Sequence, residues 1–144
     1  VIKNLFVQEA HQRQEAGDIY LDVRSIPEFE MGHPAGAYNI PLLHLDEQTR
    51  QMRPNAEFVD VVRANFPPDS PLLVGCQAGA RSVQACQILA GVGYTNLANV
   101  RGGFGGSYDG DPGWVQSALP VERATPPGRD YASLRTGKAG GPKA

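Results

Sequence analysis

Cysteine is scarce in this chain. It has two, Cys76 and Cys86, spaced ten residues apart, which fits neither a zinc-ligand pattern nor a disulfide framework. The three histidines lie at scattered positions, so no metal and no structural disulfide are expected. Long apolar runs are missing as well: nothing is long enough to span a bilayer, which argues against a membrane protein. No run of Lys or Arg reaches the density of a nucleic-acid or membrane-binding face, and the formal net charge is −2. The first residues do not resemble a signal peptide, and the chain starts at Val1 without methionine, which leaves a removed targeting segment open. A free reactive thiol suits a reducing compartment, and the expected location is cytoplasmic.

What is present is enough for one domain with a real core: 144 residues are too few for a two-domain enzyme. The informative stretch is the apolar run at residues 71–75, which ends at Cys76. Gln77, Ala78, Gly79 and Ala80 follow, and then a helix opens at Arg81 and Ser82. A strand, a loop of small residues and a helix start in succession form a cradle. Its backbone N–H groups point inward, and the first helical turn adds unsatisfied donors and the positive end of the dipole. A cysteine at the mouth of such a cradle is expected as a nucleophilic thiolate, because the donors and Arg81 favour that form. The alternative is an inert buried cysteine at a strand end.

Taken in order, residues 7–16 read as a helix with Val7, Ala10 and His11 on one side, stopped by Gly17. Residues 19–23 read as a buried strand. Asp22 and Arg24 at its carboxyl end are expected to brace loops, together with Glu28. Ser25, Pro27 and Glu28 signal the start of a short helix, and residues 38–40 form a strand after a glycine- and proline-bearing bend. His33 in that bend reads as a ring bonded to loop backbone rather than a general base. Residues 42–54 look polar and irregular. Asn55 caps a helix through Asn65 with Phe58, Val59, Val61 and Val62 inward. In the helix after the active loop, Val83, Cys86 and Leu89 recur at helical spacing, so Cys86 is expected in the core. The last strand lies within residues 94–100. Residues 104–113 read as a mobile glycine-rich loop at the rim of the site, with Arg101 before it as a candidate second positive charge. Beyond Pro120, residues 122–144 form a tail, partly docked through Tyr131 and Leu134 or disordered.

Several motifs together resemble the rhodanese family in its single-domain form. They are Leu21-Asp22-Val23-Arg24, Glu28-Phe29, Gly32-His33-Pro34-Ala35-Gly36-Ala37-Tyr38-Asn39-Ile40-Pro41, the loop from Cys76 to Arg81 with Ser82, Gly93-Tyr94-Thr95-Asn96-Leu97, and Gly102-Gly103. They occur in the family's order over residues 1–121. The resemblance implies an α/β, three-layer fold with a central parallel five-stranded sheet flanked by helices. It also implies a sulfurtransferase that moves a sulfane sulfur through a persulfide on Cys76, from a donor such as thiosulfate to cyanide or a thiol. Cys76 and Arg81 would carry the chemistry; Gln77, Ala78, Gly79, Ala80 and Ser82 would bind the substrate. The partners implied are small sulfur donors and acceptors and thiol proteins. One departure is the stretch of glycines where the family soon has a helix with a tryptophan. Another is the uncharged Gln77, where relatives that handle thiosulfate often carry a basic residue in the loop. The rival readings are a phosphatase or arsenate reductase, whose loop holds one residue more between cysteine and arginine, and a binding module without turnover.

Overall fold

The computed structural model describes residues 2–124 and 127–136. In chain order the elements are β1 (Lys3–Phe6), α1 (Val7–Glu15), β2 (Ile19–Asp22), α2 (Ile26–Met31), β3 (His33–Pro34), β4 (Tyr38–Asn39), β5 (Leu43–Asp46), β6 (Gln51–Pro54), α3 (Phe58–Asn65), β7 (Leu72–Gly75), α4 (Ala80–Gly91), β8 (Leu97–Arg101), β9 (Val121–Glu122) and α5 (Tyr131–Arg135). Five strands form the central sheet in the order β1-β8-β7-β2-β4. Every pairing within it is parallel. The chain is thus an α/β protein with the expected parallel five-stranded sheet.

Side chains of a strand alternate between the two faces of a sheet, and the core divides accordingly. Leu21, Val23, Leu72 and Val74 join one apolar cluster with Phe58, Val62, Cys86 and Leu89 from α3 and α4. Their neighbours in sequence, Tyr20 and Leu73, join a second cluster with Val7, Ala10, Phe29 and Trp114. A sheet buried on both faces explains why its strands read as continuous apolar runs. Ser25 begins α2 with a full capping box: its hydroxyl accepts from the Glu28 backbone N–H, while the Glu28 carboxylate accepts from the Ser25 N–H.

Several expectations are corrected. The polar stretch at residues 42–54 is an antiparallel hairpin, with Leu43 opposite Pro54 and Asp46 opposite Gln51. Its turn is built by Asp46, whose carboxylate accepts from the Gln48 and Thr49 N–H groups and pairs with Arg53. None of the residues of its two strands is buried, so it carries no alternating apolar signal. Helix α3 starts at Phe58, after a turn in which the Asn55 side-chain Oδ1 accepts from the Glu57 N–H. Val83 is 42% exposed, and Ser82 takes the inward place with Ala85, Cys86 and Leu89. The strand β1 had no strand signal of its own.

The described part of the tail packs back on the domain. Strand β9 pairs antiparallel with β3, and Tyr131 and Leu134 are buried in the core. Of the terminal residues expected to be disordered, 137–144 lie outside the described residues.

Candidate active site

Strand β7 runs Leu-Leu-Val-Gly with every residue buried and delivers Cys76 to the carboxyl edge of the sheet, next to the carboxyl end of β2. The chain then turns at Gly79, which has φ +114° and precedes the first residue of α4. That left-handed conformation is open to glycine at little cost. The turn brings the Gly79 N–H back onto the Cys76 Sγ at 3.0 Å. The Ser82 Oγ lies 3.4 Å from the same sulfur and is itself 2.6 Å from the Asn99 Oδ1 on β8. The first-turn amides of Ala80, Arg81 and Ser82 have no carbonyl four residues back within the helix, so they stand as further donors around the loop. In this conformation Cys76 is 1% exposed.

The loop is held by side-chain contacts to β2 and α2, two of which join residues 53 positions apart. Asp22 and Arg24 form a buried two-point pair, with Nε to Oδ1 at 3.0 Å and Nη2 to Oδ2 at 2.8 Å. Arg24 also donates to the Gly32 carbonyl and, through Nη1 at 3.2 Å, to the Gln77 Oε1. Its guanidinium carbon lies 4.3 Å from the Phe104 ring centroid. Burial pulls the Arg24 pKa down, but Asp22 outweighs that and the net shift is upward. Glu28 pairs with Arg81 instead of with Arg24, at 2.7 and 3.0 Å. Burial alone would raise the Glu28 carboxyl, but bonds from Arg81 and Ser25 hold it at about 2. The reciprocal bond from Glu28 raises Arg81.

From above, the glycine-rich segment closes on the loop. The Phe104 N–H donates to the Cys76 carbonyl at 2.8 Å, and the Gly105 N–H to the Gln77 carbonyl at 3.0 Å. Gly103, at φ +58°, passes so near that a Cβ there would lie 2.5 Å from the Cys76 carbonyl oxygen. Further turns fix the segment: Gly106 N–H to the Gly102 carbonyl, Ser107 N–H to the Asp111 carbonyl, and Trp114 N–H to the Gly103 carbonyl. The stretch expected to be mobile is therefore a set of hydrogen-bonded turns anchored to the active loop. Trp114 beyond it is buried edge-on to Tyr20, its indole N–H donating to the Pro120 carbonyl.

A cleft of about 580 Å³ opens beside the loop, lined by Ala78, Gly79 and Ala80 of the loop, by Asn4 and Asn99, and by Arg101 with Ser107, Tyr108, Asp109 and Asp111. The expected site residues are divided by it. Ala78, Gly79, Ala80 and Arg101 line the cleft; Gln77 turns its side chain to Arg24; Ser82 is buried against the thiol. The resemblance gives Arg81 a share in the chemistry beside Cys76. Its engagement by Glu28 is a fixing contact, and in this arrangement its charge is not free in the cleft. Arg101 is at the rim, paired with Asp111.

One residue of the site, Asn99, is not among those the sequence indicates. Asn99 is a lone amide in an apolar strand, and nothing in sequence links it to Ser82. Gln77 looks like a loop residue facing substrate until Arg24 is placed beside it. The other expectations concern His33 and Cys86. His33 is buried, with Nδ1 2.7 Å from the Phe29 carbonyl and Nε2 3.1 Å from Glu122, in keeping with a ring that holds loops. Cys86 is a free thiol fully buried in the core, and burial pushes it up to about 12.

Comparison with known proteins agrees with this geometry. The family model described as a rhodanese-like domain matches residues 6–107. The chain is 33% identical over 122 residues to the thiosulfate sulfurtransferase 16, chloroplastic, of Arabidopsis thaliana, an alignment covering 85% of this chain and 94% of that one. It is 32% identical over 116 residues to the senescence-associated protein DIN1 of Raphanus sativus, covering 81% of this chain but 58% of that protein's length. Among solved structures, that of Rv0390 from M. tuberculosis superposes with a TM-score of 0.70 at 21% identity, over 85% of this chain and 98% of the other, a likeness of fold. By its family match, its identity to a named sulfurtransferase and its parallel sheet, the chain belongs to the rhodanese-like family.

Proposed function

We propose that the protein is a sulfurtransferase that carries a sulfane sulfur on Cys76 between a small donor and a thiophilic acceptor. The observation that carries this reading is the Gly79 N–H on the Cys76 Sγ at 3.0 Å, at the start of a helix and with four residues between Cys76 and Arg81. Such a cradle favours negative charge on sulfur before the reaction and after it. With thiosulfate as donor, the Cys76 thiolate attacks the outer sulfur, the S–S bond breaks, and sulfite leaves with the bonding electron pair. An acceptor such as cyanide then takes the outer sulfur of the persulfide and returns the thiolate. No cofactor is needed for this cycle.

Arg81 acts in this account as a positioning residue. Its pair with Glu28 ties the start of α4 to α2, and the Arg24 bond to Gln77 ties the other end of the loop to β2. Because Cys76 is 1% exposed, attack requires a movement of the loop that exposes the sulfur to the donor. Among the described residues, no helix is long and apolar enough to cross a membrane. A thiol that must stay free between turnovers fits a reducing compartment such as the cytoplasm.

The test is to incubate the protein with thiosulfate and with a persulfide donor, then measure persulfide on the protein and thiocyanate released by cyanide. Persulfide on Cys76 and its loss in Cys76→Ser are expected. Cys76-dependent hydrolysis of aryl phosphates, without persulfide from any donor, would overturn the proposal in favour of a phosphatase.

A further inference from the structure

A chain of hydrogen bonds runs from the Cys76 sulfur to an exposed side chain of the cleft. The Ser82 Oγ lies 3.4 Å from the Cys76 Sγ and 2.6 Å from the Asn99 Oδ1. Asn99 donates in turn through Nδ2 to the Asn4 Oδ1 at 3.0 Å, the two residues being direct partners across the parallel strands β1 and β8. Cys76, Ser82 and Asn99 are buried, whereas Asn4 is exposed. Both asparagines line the cleft. An amide inside a strand is costly to bury unless its polar atoms are paired, and Asn99 has both ends of its amide engaged in this one chain.

A hydroxyl has a single proton to give. That of Ser82 goes to the Asn99 Oδ1 at 2.6 Å, so toward the sulfur its Oγ acts as an acceptor from the thiol S–H. This arrangement suits a protonated thiol and withholds the hydroxyl from a thiolate. The chain is reversible without the loss of a bond, because an amide turned end for end exchanges its donor for its acceptor. With both asparagines turned, the Asn4 Nδ2 donates to the Asn99 Oδ1, the Asn99 Nδ2 to the Ser82 Oγ, and the Ser82 hydroxyl to the sulfur. The Gly79 carbonyl, 3.1 Å from the Ser82 Oγ, does not depend on that proton, since the Val83 N–H donates to it at 3.3 Å. On the sulfurtransferase reading Cys76 reacts as a thiolate, and we infer that Asn99 and Asn4 are positioning residues that reverse this chain as the sulfur ionises, aiming the Ser82 hydroxyl at the anion. The thiol proton leaves to water when the loop opens, and the chain itself carries none. Asn4 turns at little cost, because water serves whichever end of its amide faces out.

The experiment is a double-mutant cycle on the rate at which neutral iodoacetamide alkylates Cys76 at neutral pH, read by mass on the peptide that holds Cys76. Ser82→Ala removes the donor and should slow alkylation about tenfold. In Asn4→Asp the carboxylate can only accept, so it holds Asn99 in the orientation that draws the Ser82 proton away, and the rate should fall about fivefold. In the Ser82→Ala background Asn4→Asp should change the rate by less than about twofold, because its effect passes through the hydroxyl. The conservative Asn4→Gln, whose amide can still turn, should recover most of the rate lost in Asn4→Asp. An unchanged rate in Asn4→Asp would overturn the inference, as would an equal fall with and without Ser82, which is the mark of a through-space charge. Side-chain amide signals in ¹⁵N-labelled protein give a second reading that needs no Ser82 variant. Those of Asn99 and Asn4 should shift together as rising pH ionises the thiol and should stay in place in Cys76→Ser; shifts that persist in Cys76→Ser would also overturn it. A protein that shows the coupling but is loaded by no sulfur donor would overturn the sulfurtransferase reading and leave the chain standing.

Discussion

Cys76 and Cys86 are ten residues apart, both free, both buried and both in one apolar cluster, yet the polar groups beside the two sulfurs differ. Cys76 lies under a backbone donor at 3.0 Å with a serine hydroxyl alongside. Cys86 lies one helical stretch further on, among Leu72, Leu89 and other apolar side chains, and burial pushes it up to about 12. Burial alone therefore says little about a cysteine; what decides its chemistry is whether the buried space offers donors to a negative sulfur. The comparison also separates what holds each region. The Cys86 side is held by apolar packing, whereas the Cys76 loop is held by charge pairs and backbone contacts that reach across more than 20 residues.

Variants that attack the loop's supports should have the largest effects. Arg24→Ala would leave Asp22 buried without its partner, a loss of about 3–5 kcal/mol of stability and of the tie to Gln77. Chemical denaturation of the variant checks it, and a midpoint like the parent's would show that Asp22 finds another partner. Gly103→Ala comes next. Its Cβ would press on the Cys76 carbonyl oxygen, and moving the sulfur by about 1 Å should lower sulfur transfer about a hundredfold. A steady-state assay on the folded variant measures this; unchanged turnover would mean that the segment can lift from the loop without disturbing it.

A smaller effect is expected from acid. The Glu28 carboxyl has an ordinary value of 4.5 and is held at about 2 in the fold. A folded value below the unfolded one means that its stabilising contribution is present above pH 4.5 and is lost as pH falls through that window toward 2. Melting temperature should fall in this range, and the slope should be shallower in Glu28→Gln. An identical slope in the variant would assign the acid limb to other groups. Cys86→Ala should do least: removing a buried sulfur costs about 1 kcal/mol, with sulfur transfer unchanged. A drop in transfer at full stability would contradict the inert reading of this thiol.

The sheet was largely legible because its strands are buried on both faces: runs such as 72–75 cannot be surface, and the capping box at Ser25 and Glu28 is local. The strand-loop-helix shape around Cys76 was legible for the same reason, since its signals lie within a dozen adjacent residues. What sequence did not reveal was settled by distant partners. Glu28 and Arg81 are 53 residues apart, as are Arg24 and Gln77, and no pattern within a window tells a charged loop residue which of several opposite charges it will meet. The glycine-rich stretch reads as mobile because glycine forms little structure alone. It is fixed by carbonyls of Cys76 and Gln77, about 28 positions earlier in the chain. On α4, Cys86 and Leu89 lie inward as their spacing indicates and only Val83 does not, because Ser82, a polar residue, occupies the inward place on account of Asn99 and the thiol.

The central claim is that Cys76 alone carries the transferred sulfur, and peptide mapping after exposure to a persulfide donor tests it most directly. The account predicts an added mass of one sulfur atom on the peptide holding Cys76, none on the peptide holding Cys86, and removal of that mass by cyanide with release of thiocyanate. Added sulfur on Cys86, or a Cys76→Ser protein that transfers sulfur at the parent's rate, would contradict it.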